Sequence, residues 1–242
     1  MRSAWNNRPD QTERRAAGAD ELVQYYDQLA SRYDGERFGN SYGDYLDAQE
    51  RRLLGHWLAP FRGGEILDLA CGTGRLLDLA TQGLDASSAM VRLAQAKHPQ
   101  KPIRCARASE VGEFQIVFDA IFCLHLLMHL PTAEIRALLS SCFDRLRPGG
   151  VLIFDVPSAL RRKLTGFRPA AWHAGTALTL WEVAALCKPC WRLRAARGIL
   201  FFPIHRVTPR VRPLLRPLDD MIGATPLKPL CSYLACCLER SQ

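Results

Sequence analysis

The ten residues EILDLACGTG at positions 65–74 constrain this chain more than any other stretch. Ile66, Leu67 and Leu69 suit a strand buried on both faces, and the run ends in a turn that needs glycine. Asp68 sits near the carboxyl end of that strand, where an ionised carboxylate can only accept hydrogen bonds. Gly72 and Gly74, with the small Ala70 before them, let a ligand lie directly on the peptide groups. A strand opening onto a helix in this way is where open α/β sheets bind nucleotide-like ligands. Leu77 replaces the third glycine of a dinucleotide fingerprint and no Gly-Lys-Ser/Thr follows, which argues against NAD and against a Walker-type nucleotide site.

Three later segments keep a fixed order behind this string. GLDASSAMVRLAQA at 83–96 reads as a second strand and its helix, FDAIFCLHLLMHLP at 118–131 as a fourth strand and loop, and LRPGGVLIFDVPS at 146–158 as a fifth strand behind a glycine turn. Together the four segments resemble the motifs of the class I S-adenosylmethionine-dependent methyltransferases, most nearly the ubiquinone-biosynthesis-like, small-molecule branch with its type 11/25-like domain. The resemblance covers residues 25–160 and implies an α/β fold, a Rossmann-like doubly wound sheet of about seven strands with helices on both faces. It implies S-adenosyl-L-methionine as cofactor, bound by Asp68, Ala70, Gly72, Gly74, Asp85, Ala86 and Met90, with Ser109 and Cys123 along its adenine side. Tyr33, in an AxxYD-like segment from Ala30 to Asp34, is the matching lid contact.

Methyl transfer from a sulfonium is an in-line displacement, so a base is needed only where the acceptor must lose a proton. His125 and His129 follow the fourth strand, where the resembled family places the acceptor, and an imidazole titrates near neutral pH. Both are candidate catalytic residues, His125 being nearer the strand end; His173 in AAWHAGT is a third.

Two departures from the family bear on the cofactor. Only 11 positions separate Gly74 from Asp85, fewer than relatives carry, which predicts a first helix of two turns at most, a stub of a second strand and a displaced Asp85. Arg107 stands where the family has an acidic residue for the adenine amine, and a guanidinium accepts no hydrogen bond. An alternative therefore stays open, a methyltransferase-fold protein with weakened or lost catalysis that serves as a binding or assembly partner.

Charge is unevenly placed. Residues 1–157 hold 18 Lys/Arg against 20 Asp/Glu, whereas residues 158–242 hold 14 against 4, a net +10. The expected partners are a small-molecule acceptor of apolar or anionic character and, through the basic C-terminal third, an anionic membrane surface. Nucleic acid is disfavoured, because no Asn/Asp-Pro-Pro-Tyr motif is present. The N-terminal residues lack a secretory h-region and no run spans a bilayer, so the protein is expected to be cytoplasmic. Nine cysteines, several inside apolar strand patterns, read as reduced thiols; Cys187 and Cys190 have metal-ligand spacing without a second pair, so no metal is expected.

Residues 1–20 read as a flexible arm, 21–62 as a helical lid, 63–157 as the donor-binding core and 158–242 as the remainder of the same domain with a basic, proline-rich insert. A helix is expected from Thr132 with Thr132 as its N-cap, and the Thr-x-x-Glu box at Thr179 is expected to open the last large helix. WRLRAARGILFFP and CSYLACCLE read as an antiparallel pair closing the sheet.

Overall fold

The computed structural model of the chain describes residues 11–168, 175–187 and 189–241, with side chains from residue 20 onward. Seven strands form one sheet: β1 Ile66–Leu69, β2 Gln82–Asp85, β3 Ile103–Cys105, β4 Phe118–Cys123, β5 Leu146–Pro157, β6 Trp191–Ile199 and β7 Tyr233–Arg240. Their order is β3-β2-β1-β4-β5-β7-β6, with β1 to β5 parallel and β7 antiparallel to both its neighbours. The doubly wound sheet and the closing antiparallel pair are as the sequence predicts.

Strand alternation divides the core in two. Leu67, Ile121 and Leu152 face one layer with Ile135, Leu138 and Leu139 of helix α4 (Thr132–Asp144) and Val183 and Leu186 of α6 (Leu180–Cys187). Ile66, Phe122 and Ile153 face the other, with Tyr45, Leu46, Leu53 and Leu54 of α2 (Ser41–Trp57) and Ala94 of α3 (Ser88–Lys97). The central strands are mostly apolar because both of their faces are covered.

Several local expectations change. Helix α1 runs from Gln11 to Arg37 and so enters the stretch read as an arm. Pro131, not Thr132, caps α4, with no side-chain cap bond; its fixed φ sets the helix entry. The Thr179–Glu182 box forms, the Thr179 amide donating to the Glu182 carboxylate at 2.7 Å and the Glu182 amide to Thr179 Oγ1 at 3.2 Å. It does not open the last large helix, because α7 covers Arg212–Ala224 within the proline-rich segment, after the short α5 (Ala159–Thr165) and α6. Pro213 falls in the first turn, where its missing N–H is harmless, and Pro217 costs a single ladder bond.

The compressed crossover resolves simply. Between β1 and β2 there is no α-helix, only a 3₁₀ turn at Leu77–Leu79, and β2 is as long as β1. The Lys101 ammonium donates to the carbonyls of Leu77, at 2.6 Å, and Ala80, while Arg51 of α2 pairs with Asp78 at 2.8 Å. These cations satisfy and brace the turn that replaces a helix.

Candidate functional site

Among the described residues three non-glycines have left-handed backbones, and each sits just past a strand end on the same edge of the sheet: Ala70 (φ 65°) after β1, His125 (φ 60°) after β4 and Leu200 (φ 59°) after β6. Such conformations cost roughly 1–3 kcal/mol each and persist where surroundings over-determine them. The His125 amide donates to Asp155 Oδ1 at 2.6 Å and the Leu200 amide to Gln49 Oε1 at 3.2 Å.

A cleft of about 120 Å³ opens at this edge. It is lined by Tyr26 and Tyr33 of α1, Gly72, Asp85, Met90 and His129, among others. A second, smaller chamber of about 50 Å³ lies against it, sharing Tyr33, Ala70, Gly72 and His125 and adding Asp68, Thr73 and Arg75.

Asp85 is not displaced by the short crossover. Its carboxylate accepts the Gly72 amide at 2.8 Å and the Ser87 amide at 2.8 Å, which ties the end of β2 to the glycine turn. Burial raises its pKa, and those amides pull it back. Gly72 has φ 55° with open space where a Cβ would stand. Asp68 differs: it is 4% exposed and makes no hydrogen bond among the described residues. Burial, opposed by Arg75 and assisted by Asp85, raises its pKa to about 8. An orphaned buried carboxyl beside an open glycine turn fits a ligand bearing an ammonium, and Asp85 retains acceptor capacity for hydroxyls.

Helix α1 closes the cleft through two aspartates. Asp27 accepts from the Ser87 hydroxyl at 2.6 Å and the Ala89 amide at 3.0 Å, and those bonds hold its carboxyl below the usual range. Asp34 accepts from Thr73 Oγ1 at 2.5 Å and pairs with Lys97.

His125 is enclosed by carboxylates. Its Nε2 lies 2.6 Å from Glu50 Oε1 and its Nδ1 3.4 Å from Asp155 Oδ2. Burial opposes its charge, yet Glu50 and Asp155 push its pKa to about 9. Burial would likewise raise Glu50, but the imidazolium and the Arg75 guanidinium, 2.6 Å away, hold it low; Asp155 stays raised because its burial outweighs His125. The two carboxylates thus favour the imidazolium form of His125. His129 Nε2 faces the Tyr26 hydroxyl at 3.2 Å, with the rings edge to face at 6.0 Å.

The structure gathers Tyr33, Asp68, Ala70, Gly72, Asp85, Ala86, Met90, His125 and His129 around the two chambers. It does not bring three others there. A Cβ at Gly74 would meet Leu77, Ala94 and His98 at 3.0–3.1 Å, so this glycine serves close packing against the short crossover. Cys123 is 1% exposed within the core, and Ser109 is exposed on a 3₁₀ turn, with Ala108 facing the cleft instead. Arg107 turns outward to Asp20. His173 lies outside the described residues. Among the described residues no group of three or more His, Cys, Asp or Glu side chains is arranged to hold a metal. Sequence reasoning missed Glu50, Asp27 and Tyr26; the signal was faint, a charged or polar residue on the inner stripe of an amphipathic helix.

A profile for the methyltransferase domain matches residues 66–150. YqeM of Bacillus subtilis, which bears a methyltransferase name, is 37% identical over 109 residues, 40% of this chain and 44% of that protein. The chain thus spans about half the length of some relatives it matches and about two thirds of others. A ubiquinone biosynthesis O-methyltransferase of Xylella fastidiosa is 30% identical over 175 residues, 56% of this chain and 69% of that protein. In fold, the chain is similar to the magnesium protoporphyrin IX methyltransferase of Synechocystis PCC 6803 with bound SAM, at TM-score 0.64 and 15% identity, covering 98% of this chain and all of that one. Identity of 30% across more than two thirds of a relative, on a sheet whose one reversed strand lies next to its edge, makes this chain a member of the class I S-adenosylmethionine-dependent methyltransferases, with S-adenosylmethionine as its cofactor.

Proposed function

We propose that this methyltransferase acts on an oxygen or carbon of a small molecule of apolar or anionic character, and that the donor lies across both chambers with the acceptor beside His129. The observation that carries the reading is the orphaned carboxyl of Asp68 in the inner chamber, set beside the open Gly72 turn and the anchored Asp85. Asp68 would hold the donor's ammonium and Asp85 its ribose hydroxyls, with Ala70, Gly72, Ala86 and Met90 lying against it and Tyr33 closing from α1. Bound there, S-adenosylmethionine supplies a methyl group on a sulfonium. The chain's part is to orient the acceptor, exclude water under α1 and receive a proton where the acceptor is a hydroxyl. His129, held by Tyr26, is the group suited to receive it, while His125 keeps its proton and acts as fixed positive charge.

The net +10 of residues 158–242 adds a second part to the proposal, peripheral contact with an anionic membrane and no role for nucleic acid. Among the described residues no helix is long and apolar enough to cross a membrane. Calorimetric titration with S-adenosylhomocysteine tests the donor site, and absence of binding would defeat it. Mass spectrometry of phenolic and carboxylic acceptors incubated with donor then tests the acceptor class, a mass gain of one methyl being the expected result.

A further inference from the structure

Helix α7 reverses the usual arrangement of a surface helix. Its inner face carries Asp219, fully buried, which accepts from the Tyr45 hydroxyl at 3.0 Å and the Phe201 amide at 2.9 Å. Asp220 is also turned inward, to Gln49 at 2.9 Å and Arg52 at 2.6 Å. The outer face is apolar: Leu214 is 77% exposed and Met221 59%, in line with Leu218 and, just before the helix, Val211. A helix of a soluble domain ordinarily turns such a stripe to the core. Here it cannot roll inward without stripping hydrogen bonds from a buried carboxylate, which is costly.

The chemistry around the stripe indicates what covers it. Arg206 and Arg210 lead into the helix, both exposed, and its acidic residues are engaged on the inner side. An apolar stripe flanked by cations and lacking outward carboxylates complements anionic head groups over an acyl boundary. We propose that the outer face of α7 is the surface by which this protein seats on an anionic bilayer, with Leu214, Leu218 and Met221 entering the interface and Arg206 and Arg210 pairing with lipid phosphates. This deepens the membrane part of the function proposed above and rests on it, but not on the donor site.

Sedimentation with phosphatidylcholine vesicles, with and without phosphatidylglycerol, tests it. The wild-type chain should bind only the anionic vesicles, and added salt should weaken binding severalfold by screening the arginines. Leu214→Glu with Met221→Glu should reduce binding about tenfold or more, because two charges would enter the interface. Arg206→Glu with Arg210→Glu, outside the helix, should reduce it severalfold. Each variant should still bind S-adenosylhomocysteine as wild type does, which separates loss of the surface from loss of the fold. Undiminished vesicle binding in both variants, or none by the wild type, would overturn the proposal. So would sedimentation equilibrium showing a dimer that Leu214→Glu dissociates, since the stripe would then cover a second copy. Failure to bind S-adenosylhomocysteine with vesicle binding intact would defeat the donor site alone.

Discussion

His125 Nε2 and Glu50 Oε1 lie 2.6 Å apart, joining the loop after β4 to the middle of α2 inside the protein. The folded-state pKa of His125, about 9, stands above its ordinary 6.5, so the stabilisation is fully present below about pH 6.5 and is lost as pH rises towards 9. The shift corresponds to stability of about 3 kcal/mol. Denaturant titrations at pH 6.5 and 9.5 should show that difference for the wild type and a much smaller one for His125→Gln. Equal pH dependence in the two proteins would disprove it. Glu50→Gln leaves the imidazolium and Arg75 short of a counter-charge and should destabilise by roughly 3 kcal/mol at neutral pH.

Asp68 offers a proton count. With a pKa of about 8 its carboxyl is largely neutral at pH 7, and an ammonium arriving beside it favours the ionised form. Binding of S-adenosylhomocysteine at pH 7 should therefore release up to one proton, seen as a dependence of the calorimetric heat on buffer ionisation enthalpy. Asp68→Asn should abolish that dependence and weaken binding by roughly tenfold or more. Binding without proton release would place Asp68 outside the ammonium site.

The lid is fastened at Asp27 and Asp34. Asp27→Ala removes a charge-assisted contact to the Ser87 hydroxyl and the Ala89 amide, worth about 1.5–3 kcal/mol together. Hydrogen exchange should quicken within Leu22–Tyr33 while the amides of β4 and β5 keep their protection. Exchange that quickens equally in the sheet would show that α1 opens only with global unfolding.

His129→Gln and Tyr26→Phe should separate catalysis from binding. For a hydroxyl acceptor, the first should lower the methylation rate by about 100-fold and the second by less, with S-adenosylhomocysteine affinity unchanged in both. A rate unaffected by His129→Gln would mean that the acceptor already carries its nucleophilic electron pair at neutral pH.

Strands β1, β4 and β5 were legible because each carries a short, mostly apolar run, and β6 with β7 because their ends were marked by proline and polar residues. Helix α7 was hidden by its prolines, whose cost depends on where in the helix they fall. Asp85 was misjudged because chain length between two motifs was read as reach, whereas a 3₁₀ turn held by Lys101 spans the distance in fewer residues. Spacing and resemblance suggested Gly74, Ser109 and Cys123 but carry no direction, and only the packed structure shows which way each faces. Glu50 was invisible for the opposite reason: its partners Arg75 and His125 are 25 and 75 positions away.

The single turn between β1 and β2 has a consequence for how the chain can be divided. With no helix there to cover the sheet, α2 supplies Arg51 to Asp78 and Glu50 to Arg75, and Tyr45 and Leu54 to the core below. Helix α2 is thus a wall of the sheet's own domain. A fragment beginning at β1, although it would contain every motif of the family, would expose one side of its own sheet and should aggregate when expressed alone.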